Sequence, residues 1–264
     1  MISLNNLQVT FSKGSIMEKQ ALRGIDLQIN EGEFVTVIGS NGAGKSTLLN
    51  AISGETLPTA GTLTIDEDDV TDLPSYARAH LVARVFQDPL AGTCGDLTIA
   101  ENMALAERRG KKRGLAKALR RSNQQKFQET LSRLNLGLEE RLNTSMGMLS
   151  GGQRQAVSLL MATLSPLKIL LLDEHTSALD PKTAAYVMDL TQKMIIEKKL
   201  TALMVTHSLH QALHYGTRTI MLHEGRLIYD VAGKERSKLT PQDLMKQFGT
   251  SMDDDRLLLD KRDN

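Results

Sequence analysis

Gly39-Ser40-Asn41-Gly42-Ala43-Gly44-Lys45-Ser46-Thr47 decides how this chain reads. The stretch fits the pattern G-x-x-x-x-G-K-[ST]. Ahead of it, Phe34-Val35-Thr36-Val37-Ile38 has the composition of a strand buried on both faces. Behind it, a helical pattern begins near Lys45. Glycines at these positions let the backbone curl, so that successive N–H groups point at phosphate oxygens. The helix N-terminus adds the positive end of its dipole. Lys45 is then expected to reach the β- and γ-phosphates of a bound nucleotide, and the Ser46 hydroxyl to ligate Mg2+.

Working outward, two further apolar runs resemble the first. Residues 169–172 end in Asp173-Glu174, and residues 201–206 are followed by His207. Helical patterns lie between these runs, which predicts an α/β fold with a parallel sheet. Such sheets bind ligands beyond the carboxyl ends of their strands. Asp173 is therefore expected to hold Mg2+ through water, and Glu174 to polarise an attacking water. Taken without the phosphate loop, the same acidic pair reads equally well as a solvated turn. Residues 2–10, 21–29 and 62–65 alternate like strands and predict an antiparallel β subdomain. Residues 90–166 carry a stretch, 99–142, rich in Ala, Leu, Lys, Arg, Glu and Gln, and predict an inserted α-helical subdomain. The α/β core is expected over 1–89 and 167–233. It closes with a hairpin around His223-Glu224-Gly225-Arg226, and the tail 234–264 holds one short helix over 241–248.

The 264 residues are enough for a substantial core. With 41% hydrophobic and 24% charged residues, the chain is neither disordered nor fibrous. Its net charge of +1 gives no general signal for nucleic acid. The single cysteine, Cys94, permits no internal disulfide; it reads as a small buried residue in a reducing compartment. The first eleven residues lack the charged and apolar regions of a signal peptide, and no run approaches the ~20 apolar residues of a membrane span.

Leu149-Ser150-Gly151-Gly152-Gln153 resembles the signature of ABC-type ATPases. The resemblance covers nearly the whole chain, with the motifs in order. It implies the ABC ATPase fold and ATP hydrolysis with Mg2+. Phe11 stands where the family has an aromatic that stacks on adenine, although a lone Phe is more often core. Gln87 matches the glutamine of the lid loop, a ligand of Mg2+ or of the attacking water; His207 matches the switch histidine, bridging Glu174 and the γ-phosphate. Ser150, Gly151, Gly152 and Gln153 would meet the phosphate of ATP on a partner subunit, with Ser150 capping the helix. Asp180 would organise that dimer interface.

The family pattern therefore implies a head-to-tail homodimer sandwiching two ATP. It would drive an integral-membrane permease from the cytoplasmic face of the cell membrane, as a peripheral protein. The motif variants resemble a bacterial importer group that works with permeases like those for branched-chain amino acids and with an extracytoplasmic substrate-binding protein. Aromatic amino acids are suggested substrates of relatives. The other readings are an exporter ATPase, an ATP-gated assembly module, and a soluble ABC ATPase acting on DNA or ribosomes. The last usually carries two tandem cassettes or metal-binding inserts, and one phosphate loop is present here.

His175 stands where the family commonly has Pro; it either shapes the turn or perturbs the pKa of Glu174. Arg108, Arg109, Lys111, Lys112, Arg113, Lys117, Arg120 and Arg121 form a basic stretch. This reads first as a solvated helix face, then as a lipid-headgroup contact, and last as a nucleic-acid contact, since no aromatic is interleaved. Met146, Met148 and Met161 flank the signature helix and read as flexible core filling.

Overall fold

A computed structural model describes residues 1–111, 119 and 121–247. Its strands are β1 (Ile2–Phe11), β2 (Lys19–Ile29), β3 (Phe34–Gly39), β4 (Ala60–Ile65), β5 (Asp68–Asp69), β6 (Val82–Val85), β7 (Ile169–Asp173), β8 (Ala202–Val205), β9 (Arg218–His223) and β10 (Arg226–Ala232). Its helices are α1 (Lys45–Ser53), α2 (Ser75–Arg78), α3 (Ile99–Glu107), α4 (Arg121–Ser132), α5 (Gly151–Ala162), α6 (Pro181–Lys198), α7 (Leu209–His214), α8 (Gly233–Arg236) and α9 (Pro241–Gln247). The chain divides into two compact units, Met1–Arg78 together with residues from Lys199 onward, and Ala79–Lys198.

In the first unit, β2-β1-β4-β5 form an antiparallel sheet, with Ile2 opposite both Ile29 and Ile65. Much of β1 and β2 alternates buried with exposed residues, as a sheet with one covered face requires. β3 and β8 are buried along their whole length and pair in parallel, Phe34 with Ala202 through Val37 with Val205. β9 pairs in parallel on the other side of β3, from Val35 with Arg218 to Gly39 with Leu222, and turns back through β10. A guanidinium holds α1 in place. Arg78, with no exposed surface, donates to the carbonyls of Ala51 (2.6 Å), Ile52 (3.0 Å), Leu73 (2.7 Å) and Thr71 (3.1 Å). The carbonyls at the C-terminal end of α1 thus meet a cation.

In the second unit, β6 and β7 are parallel neighbours, Val82 with Ile169 through Val85 with Leu172. The capping box of α3 is Thr98 with Glu101, and Phe127 and Leu131 of α4 are wholly buried. The expected helical run over 99–142 stops after α4, where Asn135 (φ 50°) and Gly137 (φ 66°) take left-handed conformations and break the helix.

Three expectations are corrected. Cys94 is exposed rather than buried: Asn102 accepts from its amide (2.8 Å) and donates to its carbonyl (2.9 Å), holding a surface turn. Met146 and Met161 are buried, but Met148 is 76% exposed at the end of a short 3-10 turn. Arg109 is no solvated cation: it donates to the carbonyls of Ala162 (2.8 Å) and Ser165 (3.3 Å), where α5 ends. Of the rest of the basic stretch, Lys112, Arg113, Lys117 and Arg120 lie outside the described residues, as does Phe248 of the expected tail helix. Among the described residues no helix is long and apolar enough to cross a membrane.

Candidate functional site

In the first unit the phosphate loop leaves β3 at Gly39 and enters α1 at Lys45. A Cβ on Gly39 would stand 2.4 Å from the Leu222 carbonyl oxygen of β9, so only glycine fits there. Gly44 has φ 103° and would put a Cβ 2.7 Å from the Ala21 carbonyl oxygen. As the N-cap of α1, Gly44 brings no side chain to the first amides of the helix, which is the end an anion occupies. Gly42 is also left-handed, and Ala43 is buried between Ser40, whose carbonyl accepts its amide, and Gly225, whose amide donates to its carbonyl. Asn41 and Ser46 are exposed, and Thr47 is half-buried. Lys45 is 6% exposed, and its Nζ donates to the carbonyls of Gly39 (2.6 Å) and Ser40 (3.0 Å). His207 leaves β8 two residues beyond Val205, as Gly39 stands two beyond its partner Val37. The two residues therefore emerge at the same end of neighbouring strands. Phe11 ends β1 with 41% of its surface exposed, so it is not core.

In the second unit the same geometry recurs. Val85 of β6 is opposite Leu172 of β7, so Gln87 and Glu174 each follow two residues beyond a paired position. Gln87 donates from Nε2 to the Ser177 hydroxyl (3.0 Å), which donates to the Glu174 carbonyl (2.9 Å). The Asp173 carboxylate accepts from Arg84 at 2.5 Å, and that guanidinium lies 4.8 Å from the centre of the Phe86 ring. Buried Gln155 on α5 donates to the Phe86 carbonyl (3.1 Å), tying the signature helix to the residue before Gln87.

The signature segment is a complete capping box. The Ser150 hydroxyl accepts from the Gln153 amide, and the Gln153 side chain accepts from the Ser150 amide, both at 3.2 Å. Gly151 is exposed, while Gly152 is buried under α6, where a Cβ would come 2.0 Å from the Thr183 methyl. Asp180 accepts from the Thr183 amide at 3.1 Å, at the start of α6. Bonds from the Thr183 hydroxyl and amide hold its carboxyl below the ordinary range. His175 is 2% exposed with Nε2 3.0 Å from the Thr191 hydroxyl, and burial pushes its imidazole down to about 4. The ring is therefore neutral near pH 7 and adds no charge beside Glu174.

The model of the family described as "ABC transporter" matches residues 22–177. This chain belongs to the ABC transporter family. It is an ATP-binding cassette and an ATPase of α/β fold. Among relatives of this ABC protein is the "Tyrosine transport ATP-binding protein" of Clostridioides difficile. It is 45% identical over 94% of this chain and 98% of its own length. "Methionine import ATP-binding protein MetN 1" of Bacillus thuringiensis is 32% identical over 91% of this chain and 70% of its own length. Among solved structures, a dimeric post-hydrolysis state of an ATP-binding cassette bound to ADP and Pi matches with a TM-score of 0.74. It is 33% identical and covers 88% of this chain and 98% of its own.

Reading the ABC sequence alone passed over Arg84, Gln155 and Thr191. Arg84 left a signal, a lone charge inside the run Leu81-Val82-Ala83-Arg84-Val85-Phe86. Gln155 and Thr191 left none, because their partners Phe86 and His175 are far away in the sequence.

Proposed function

We propose that this chain is the ATP-hydrolysing subunit of an importer for amino acids, with an aromatic amino acid as its cargo. Two copies sandwich two ATP head to tail and drive a separate integral-membrane permease from the cytoplasmic face of the cell membrane. An extracytoplasmic substrate-binding protein delivers the solute, and no nucleic acid takes part. The cargo reading rests on the 45% identity to a tyrosine transport ATP-binding protein.

In this reading the amides of residues 39–47 cradle the β- and γ-phosphates, Lys45 neutralises them, and Phe11 stacks on adenine. Glu174 accepts a proton from the water that attacks the γ-phosphorus, and the bond from that phosphorus to the bridging oxygen breaks. His207 steadies the same phosphoryl group. Ser150, Gly151, Gly152 and Gln153 present a helix N-terminus to the γ-phosphate on the partner copy, and Asp180 orders the interface. Mg2+ fits the donor set: the Ser46 hydroxyl, the Gln87 carbonyl oxygen and the Asp173 carboxylate are hard oxygen ligands, and Asp173 already accepts a cationic partner in Arg84. When bound, it supplies charge neutralisation at the phosphates.

The observation that carries the chemical reading is the Val85–Leu172 register, which sends Gln87 and the Asp173-Glu174 pair off the same end of adjacent strands. Glu174→Gln tests it. The variant is expected to bind ATP, lose about 100-fold or more in kcat, and elute as an ATP-dependent dimer on gel filtration. Full hydrolysis in this variant would remove Glu174 as the base.

A further inference from the structure

Glu174 has φ 46°, in the left-handed region. A non-glycine residue persists there only when its surroundings over-determine it. On its carbonyl side the restraint is local: the Ser177 amide (3.0 Å) and hydroxyl (2.9 Å) both donate to the Glu174 oxygen. A second restraint comes from the next residue and reaches further. The His175 ring is buried, and its Nε2 lies 3.0 Å from the hydroxyl of Thr191, a residue of α6 with no exposed surface. That hydroxyl sits 2.7 Å from the Val187 carbonyl and donates to it. It has a single proton, so it accepts from His175, which fixes the neutral ring with its proton on Nε2. The turn after β7 is thereby tethered to the middle of a helix of 18 residues.

We propose that His175 is a positioning residue for Glu174: its buried hydrogen bond to Thr191 holds the left-handed turn and so the direction of the Glu174 carboxylate. This rests on the reading of Glu174 as the base. If the turn relaxes to an ordinary φ, the Cα–Cβ bond of Glu174 swings and its carboxylate no longer meets the water in line. A misplacement of about 1 Å costs on the order of 100-fold in rate. The proposed ATP contacts belong to other residues, so nucleotide affinity is untouched by the tether.

The test uses the full chain, with steady-state ATP hydrolysis, affinity for a fluorescent ATP analogue, and thermal midpoint. For His175→Leu, kcat is expected to fall roughly 10- to 100-fold, with KM for ATP within about two-fold of the parent. Thr191→Val should show the same loss, and the double variant no further loss. His175→Gln, whose amide nitrogen takes the place of Nε2, should recover most of the rate. The proposal is overturned if folded His175→Leu or Thr191→Val turns over at the parental rate, or if His175→Gln is as slow as His175→Leu. Should His175→Leu fail to fold, Thr191→Val and His175→Gln decide alone. Glu174→Gln separates the two readings. If it hydrolyses fully, the base assignment falls. If it is inactive while the His175 and Thr191 variants run at full rate, only the positioning role falls.

Discussion

Arg78 shows what one buried cation does when its hydrogen bonds go to main-chain carbonyls and not to a carboxylate. Its guanidinium is wholly enclosed and is satisfied by main-chain carbonyls alone, two of them near the end of α1. Burial lowers its pKa to about 10, which leaves it charged at neutral pH. Arg78→Met would leave those carbonyls without their donor, at a cost of about 3–5 kcal/mol. A thermal midpoint lowered by roughly 10 °C is the expected readout, and an unchanged midpoint would contradict the role. Nothing in the sequence around Arg78 announces it, because its partners Ala51 and Ile52 lie on another element. Lys45 is the opposite case. Two of its partners, the Gly39 and Ser40 carbonyls, lie within six residues, so the local motif is legible by itself. Cys94 and Met148 are exposed against expectation for a related reason: exposure depends on neighbours, and composition does not reveal them.

Two helices begin with the same four-residue device, Thr98 to Glu101 on α3 and Ser150 to Gln153 on α5. Such caps are legible from sequence because donor and acceptor stand three residues apart. The two differ in charge. The Thr98 amide and hydroxyl, each 2.8 Å away, hold the Glu101 carboxyl below its ordinary value. The folded chain therefore binds that proton less readily than the unfolded chain does. The cap's contribution is full above the ordinary carboxylate pKa and is lost as pH falls through the lowered value. Glu101→Ala should melt below the parent at pH 7, and the gap should close as pH drops below about 4; a gap independent of pH would refute this. At the same scale, β6 escaped the sequence reading. It is four residues long and interrupted by Arg84, too short for a periodic signal.

For the whole molecule, the proposed transporter role predicts a partner that no single residue tests. When this chain is tagged in its native cell and membranes are solubilised in mild detergent, a polytopic permease should co-purify in stoichiometric amount. Recovery only from the soluble fraction, with ribosomes or DNA, would refute the transporter reading and leave the ATPase standing. The sequence by itself determined the phosphate loop, the acidic pair after its apolar run and the Ser150 cap. Each of these is written in contiguous residues, and hydrogen bonds such as Lys45 to the Gly39 carbonyl and the Gln153 amide to Ser150 stay within the segment. Tertiary structure alone decided which strands are neighbours: β3 lies between β8 and β9, both distant in sequence, because parallel strands need long crossovers. That arrangement explains why Gly39 cannot bear a side chain beneath the Leu222 carbonyl. In the same way, Arg84 meets Asp173 and His175 meets Thr191 only once β6, β7 and α6 have packed. Pairings of this kind are set by the path of the folded chain, and no local pattern encodes them.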